Sequence, residues 1–268
     1  VGSEMCIRDS PNASQGTNIS LGGLTGSSGM ISLSNGAAST MIFTNSARRE
    51  VKTTIGYTGD DTALNVTMRA SDAQNGYQIL RFRSGAYDAT DANLGDVIVD
   101  TGRIDIGMHS GMKGSRLSIS GAEAVFSATA SDSGNIGTAV FDEGEWYAGK
   151  IVVDVEGELS YDKITFNGKF DKTGSDRDMG FEFAFDEYTM RDLIAAGGGE
   201  FILADVITYE TGSSMAGTVF EGSAGGIQWE AVFGDTSLNV AFTVPEPSAM
   251  AAILGAIALA FAARGRKK

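Results

Sequence analysis

The stretch DVIVDTGRIDIG, residues 96–107, is followed 20 residues later by RLSISGAEAVFS, residues 116–127, and this pair decides the fold. In each, apolar and polar residues alternate, a small turn built on Gly102 or Gly121 follows, and a second alternating run comes after it. A period of two marks a strand with one buried face, whereas a helix needs a period of 3.6. The same strand, turn, strand texture recurs in MISLSNGAASTMIF (30–43) and IVVDVEGELSY (151–161). A repeat of about 20 residues fits one turn of a parallel β-helix, in which each coil buries its apolar face only by stacking on its neighbours.

Working outward, short β-rich runs separated by Gly, Asn, Asp or Ser fill residues 16–170. Candidate strands cover 30–33, 40–44, 51–55, 64–69, 77–82, 96–99, 103–106, 116–119, 124–127, 138–141, 150–155, 158–161 and 163–170. No helix-period run interrupts them. The chain holds 36 Gly and only 3 Pro, so its bends draw on glycine freedom. The expectation is an all-β body, a right-handed parallel β-helix-like solenoid over 16–170. A β-sandwich of jelly-roll type competes, because it needs strands of similar length and turns every 8–12 residues.

After residue 170 the texture changes. DKTGSDRDMG (171–180) reads as a loop and FEFAF (181–185) as a strand. Asp186 is placed to cap a helix over 187–196, and Gly197, Gly198 and Gly199 to end it. Strands are expected at 201–208, 227–233 and 237–243. Helix and strands together read as a small α+β C-terminal cap over 171–243, since an open coil end exposes unpaired backbone. A separate small α+β domain is the other reading.

The 268 residues carry 20 basic and 34 acidic side chains, a net charge of −14. Such a surface repels nucleic acid and anionic lipid. One cysteine, Cys6, and one histidine, His109, exclude a disulfide framework, an ordinary zinc site and a Ser–His or Cys–His nucleophile. Carboxylates cluster at Asp60 with Asp61, at Asp142 with Glu143 and Glu145, and at Asp176 with Asp178. Acid hydrolases need two carboxylates across a groove, but loop pairs of this kind are expected to solubilise turns, and no catalytic residue is assigned. Asp171, Asp176 and Asp178 offer oxygen ligands to Ca²⁺, yet their spacing matches neither an EF-hand nor the nonapeptide GGxGxDxUx repeat, so no cofactor is expected. Trp146, Tyr147 and Trp229 could stack on sugar rings; aromatics in or near strands are expected in the core. Asn12, Asn18 and Asn65 begin N-x-S/T triplets, to which no role is given.

The last 25 residues, VPEPSAMAAILGAIALAFAARGRKK (244–268), have their own logic. Pro245, Glu246 and Pro247 precede an uncharged run over 249–263, and Arg264, Arg266, Lys267 and Lys268 close the chain. Fifteen residues of helix reach roughly 22 Å, short of the roughly 30 Å hydrocarbon core, so this transmembrane helix would span only with snorkelling or local thinning. The basic end would stay in the cytoplasm. A buried C-terminal helix is the alternative. Removing these four cations leaves 16 basic against 34 acidic residues, a net −18 for the exported part.

The order Pro-Glu-Pro, apolar helix, basic end resembles the PEP-CTERM sorting signal of Gram-negative bacteria. The resemblance covers residues 244–268. It implies export and recognition of Pro245, Glu246 and Pro247 by an exosortase-type transpeptidase. It also implies passage through the inner membrane, with the helix and its Arg264 and Arg266 end removed, and delivery to the cell surface or an exopolysaccharide matrix. The GxLxIxG texture of the body resembles the autotransporter-like β-helical repeats often carried by such proteins. Residues 1–10, VGSEMCIRDS, show no signal peptide and resemble a translated sequencing-adapter remnant, so residues 1–15 are read as non-native or disordered, and Cys6 with them. The functional expectation is a non-enzymatic surface or matrix protein of structural or adhesive role. A carbohydrate-binding module and a β-helical polysaccharide lyase or hydrolase are the alternatives.

Overall fold

The computed structural model describes residues 5–7, 18–26, 30–34, 39–58, 63–83, 94–131, 134–185 and 199–244. The strands of the first coils are β1 (Met5–Ile7), β2 (Asn18–Leu21), β3 (Met30–Ser34), β4 (Ser39–Phe43), β5 (Arg48–Thr58), β6 (Leu64–Arg69) and β7 (Tyr77–Phe82). The middle coils hold β8 (Leu94–Gly107), β9 (Gly114–Ile119), β10 (Ala124–Ala128), β11 (Thr138–Trp146) and β12 (Gly149–Gly157). Then come β13 (Ser160–Tyr161), β14 (Lys163–Phe166), β15 (Phe170–Lys172) and β16 (Met179–Phe185), and last β17 (Gly199–Thr208), β18 (Val219–Ala224), β19 (Ile227–Phe233) and β20 (Ser237–Val244).

Pairing between successive coils is parallel and forms a β-solenoid of about five turns, which excludes the sandwich. A front wall stacks β2, β4, β6, the first half of β8, β9, β11 and then β14 with β15. A back wall stacks the first half of β5, β7, the second half of β8, β10, β12 and β16. The second half of β5 pairs with β3, and β3 with β1, at the N-terminal end. The core lies between the walls, where Phe126 of the back meets Phe141 of the front edge-on at 6.0 Å.

Parallel register puts equivalent positions of successive coils on top of one another, about 4.8 Å apart. One inward column of the front wall runs Ile19, Met41, Val66, Val97, Leu117, Gly144, Phe170. Its neighbour runs Leu21, Phe43, Met68, Val99, Ile119, Trp146. From Met41 and Phe43 onward the members of both columns are buried. Each buried Val, Leu or Ile contributes about 1.5–3 kcal/mol by leaving water, and no coil reaches that burial alone.

Coil length varies. Column partners are 25 residues apart at Phe43 and Met68, 31 at Met68 and Val99, 20 at Val99 and Ile119, and 27 at Ile119 and Trp146. The 20-residue spacing visible in the sequence is therefore the shortest coil.

Three strand expectations need correction. Residues 96–99 and 103–106 belong to one strand, β8, which passes from front to back wall around Gly102. Gly102 has φ +79°, and a Cβ there would collide with Ala70 and the Gly76 carbonyl, so only glycine turns this corner without breaking the strand. Residues 158–161 shorten to β13, which folds back antiparallel on β12. Residues 163–170 divide into β14 and the start of β15, both paired with β11.

At the C-terminal end parallel pairing stops. β17 joins β14 in parallel, and then β20, β19 and β18 follow antiparallel. This sheet curls back toward β16, and its inner face seals the last coil with rings. Phe183 meets Trp229 at 5.0 Å and Phe242 at 5.1 Å, and Phe181 meets Phe220 at 5.5 Å. The expected helix over 187–196 and the apolar run over 249–263 lie outside the described residues. Among those described, the helical turn is the 3-10 turn Asp176–Asp178, and no helix is long and apolar enough to cross a membrane.

Candidate functional site

The densest group of ionisable side chains sits on the outward face of the back wall. Alternation along β8 sends Arg103 and Asp105 to that face while Ile104 and Ile106 point into the core. Parallel stacking then lines up Tyr77, Arg103, Val125 and Lys150 in one row, and Ile79, Asp105, Ser127, Val152 and Glu182 in the next. Ile79, Asp105, Ser127 and Val152 are buried although they face outward.

Arg103 grips Asp105 with two hydrogen bonds, Nε to Oδ1 at 2.7 Å and Nη2 to Oδ2 at 3.0 Å. The Tyr77 hydroxyl also donates to Asp105 Oδ2, and the Arg103 guanidinium lies over the Tyr77 ring at 4.7 Å. Arg81 reaches Glu50 at 2.8 Å and donates to Thr129 Oγ1 at 3.0 Å and to the Ala130 carbonyl at 2.7 Å. These contacts tie together β5, β7, β8 and the turn after β10. Removing one partner of such a buried pair would leave an uncompensated charge.

Asp162 stands where the β12–β13 hairpin returns to the coil. Its Oδ1 accepts from the Gly137 N–H at 2.8 Å, and its Oδ2 accepts from the Asp154 N–H at 3.1 Å and the Ser127 hydroxyl at 3.3 Å. Burial, only partly opposed by these donors, pushes its carboxyl up to about 8. Asp154 is half-buried beside it, and burial pushes its carboxyl up to about 6, against the pull of Arg103. Burial also raises Asp105 against its Arg103 and Tyr77 hydrogen bonds. Burial and the Asp105 charge raise the Tyr77 hydroxyl; burial opposes the Arg103 charge, and Asp105 more than offsets it. Asp105 and Asp162 thus spend their oxygens on internal donors. The cluster pins coils together and stores protons near neutral pH.

The residues singled out by sequence are scattered. Asp142 pairs with Lys113 at 3.1 Å and accepts from Asn167 at 3.0 Å, and the Asn167 bond and Lys113 hold its carboxyl below the usual range. Glu143 and Glu145 lie on the front wall around Arg116, which binds Asp96 at 2.8 Å and approaches Glu145 at 3.8 Å. The Asp171 carboxylate accepts from the Ser214 N–H, Asp176 pairs with Lys172 at 2.8 Å, and Asp178 is exposed in the 3-10 turn. Among the described residues no group of three or more His, Cys, Asp or Glu could hold a metal ion. His109 lies in the turn after β8, its Nδ1 2.9 Å from the Ser110 carbonyl. Trp146 and Trp229 are buried, and Tyr147 is 57 % exposed. Asn65 accepts from the Asp96 N–H and belongs to the coil scaffold. Pro245, Glu246, Pro247, Arg264, Arg266, Asp60, Asp61 and Asn12 lie outside the described residues.

Sequence reading missed the back-wall cluster. The R-x-D spacing of RIDIG did place Arg103 and Asp105 on one face, but nothing local announces that an outward face is covered. Asp162 carries no local signal, because its partners are 8, 25 and 35 residues away. No known protein family, curated protein or solved structure matches the chain.

Proposed function

We propose that this chain is an exported, non-enzymatic structural or adhesive protein of the cell surface or exopolysaccharide matrix, sorted by its C-terminal segment. One observation carries the reading. The sequence Pro245-Glu246-Pro247, apolar run, basic end begins one residue after β20 finishes at Val244, so a processing signal follows directly on a folded edge. In this reading residues 249–263 form a helix that halts in the inner membrane, an exosortase-type transpeptidase acts near 245–247, and the body is released to the surface.

The body is suited to such a role. Its front wall presents ion pairs that the stacked coils hold in fixed positions: Arg69 with Asp100, Arg116 with Asp96, and Lys113 with Asp142. We take the coils to wind right-handedly, the hand that strand, crossover, parallel-strand connections adopt. A β-helical polysaccharide lyase or hydrolase is the alternative that the back-wall carboxylates and Arg103 favour. The exposed ring of Tyr147 is what a carbohydrate-binding reading would rest on.

The test replaces Pro245, Glu246 and Pro247 together by Ala and follows the mass of the protein in cells that carry the sorting machinery. Accumulation of the uncleaved chain in the membrane is expected. Unchanged processing would refute the reading.

A further inference from the structure

The C-terminal sheet has two different faces. Along β17, β18, β19 and β20 burial alternates strictly outside the bulge in β17, with the rings inward and the other side chains in solvent. The register places Ser223, Gln228, Thr243 and Glu200 in one outer row and Glu221, Glu230, Ala241 and Ile202 in the next. Val219 and Val232 stand opposite each other beyond them. Five large apolar side chains are exposed among the described residues, and three of these, Ile202, Val219 and Val232, are on this face.

Its charge is one-sided. Residues 199–244 contain Glu200, Asp205, Glu210, Glu221, Glu230 and Asp235 and no Lys, Arg or His. The front wall pairs its carboxylates with Arg69, Lys113 and Arg116, but no ion pair among the described residues reaches those of the sheet. Glu221 lies directly across from Glu230, an arrangement that costs stability in the free protein.

The position of the face is fixed by the chain. β20 is a central strand of the sheet and ends at Val244, beside the row that holds Thr243 and Glu200. Pro247 is at most ~10 Å of extended chain beyond it. Any protein that grips residues 245–247 must therefore lie against this sheet.

We infer that the acidic, partly apolar outer face of β17–β20 is the docking surface for a basic patch of the membrane enzyme that cuts at 245–247. The inference rests on the sorting reading above. Complementary charge at the rim of an interface acts on the rate of encounter, and the exposed Ile202, Val219 and Val232 supply the apolar centre.

The test compares three full-length chains in the same cells by pulse-chase: wild type, the triple variant E200K/E221K/E230K, and the Ala replacement of 245–247. The triple variant keeps one like-charge pair in place of another, so an unchanged melting temperature is expected and is measured on the purified protein. Processing of the triple variant should be roughly tenfold slower than wild type, and E200Q/E221Q/E230Q should fall between. Processing of the triple Lys variant at the wild-type rate, with the Ala replacement still blocked, overturns the docking surface alone. Loss of matrix retention without slower processing also overturns it, by giving the face to the matrix. Processing of the Ala replacement sinks the sorting reading itself.

Discussion

The column Met41, Val66, Val97, Leu117, Gly144, Phe170 passes from the coils into the C-terminal cap, and it changes character at Gly144. In the coils each inward side chain has the same position of another coil above and below it, about 4.8 Å away. Aliphatic side chains fit that spacing, and a large ring requires a gap beside it. Gly114 supplies the gap next to Phe141, and Gly144 the gap next to Phe166 and Phe170. In the cap no further coil follows, so the restriction on width is lifted and volume becomes the need. Phe166, Phe170, Phe181, Phe220, Phe233 and Trp146 fill it as one cluster of rings. A stack tolerates matched, narrow residues, whereas its end is sealed by wide ones.

The largest effect should come from emptying the cap. Phe170 stacks on Phe166 at 4.5 Å and touches Trp146, Tyr209 and Phe233. Phe170→Ala should cost about 4 kcal/mol in chemical denaturation. Hydrogen exchange should accelerate in β11 to β20 and change little in β4 to β7, because repeats feel their nearest neighbours most. Equal acceleration in both regions would erase the distinction between them.

Filling a gap is the converse and should cost somewhat less. A methyl group on Gly144 would collide with the rings of Phe166 and Phe170, so Gly144→Ala is expected to destabilise by about 3 kcal/mol. Gly180 is the control. It faces outward on β16 with open space around it, and Gly180→Ala should change stability by less than ~1 kcal/mol. Melting temperatures of the two variants side by side decide whether coil spacing, or glycine content as such, governs the stack.

The same contrast explains what the sequence disclosed. Coil strands such as LNVTMR and YQILRF can be read because alternation is local, and they match β6 and β7. The repeat was visible only where a coil is 20 residues long, between Val99 and Ile119, because insertions stretch the others to 25–31. In the cap, β18 escaped because VFEGSA carries a central Gly222 that looks like a turn. Its real duty is to make room for the ring of Trp229 across the ladder. Trp146 and Trp229 could be placed in the core by residue type alone, but the polar cluster around Asp105 and Asp162 could not, since its members meet only through the stacking of coils.

That cluster gives the smallest of these effects, and one that belongs to the coils rather than the cap. Asp162 and Asp154 are raised to about 8 and about 6 from the ordinary 3.8, mainly by burial. A carboxyl raised on folding binds its proton more tightly in the native state than in the unfolded chain. Its contribution is therefore complete below about pH 4 and is lost as pH rises through the native value. Stability should fall from pH 4 to pH 8, with both groups contributing up to pH 6 and Asp162 alone beyond it. Asp142, held low by Asn167 and Lys113, acts in the opposite sense, and only near and below its ordinary range. A fall of about 2 kcal/mol between pH 5 and pH 8 is expected. Asp162→Asn should be less stable than wild type at pH 5, because its amide N–H₂ would face the Asp154 or Gly137 N–H. Its stability should also vary much less between pH 6 and pH 8. Denaturation midpoints at four pH values for the two proteins check this, and a variant with the wild-type slope above pH 6 would remove Asp162 as the source.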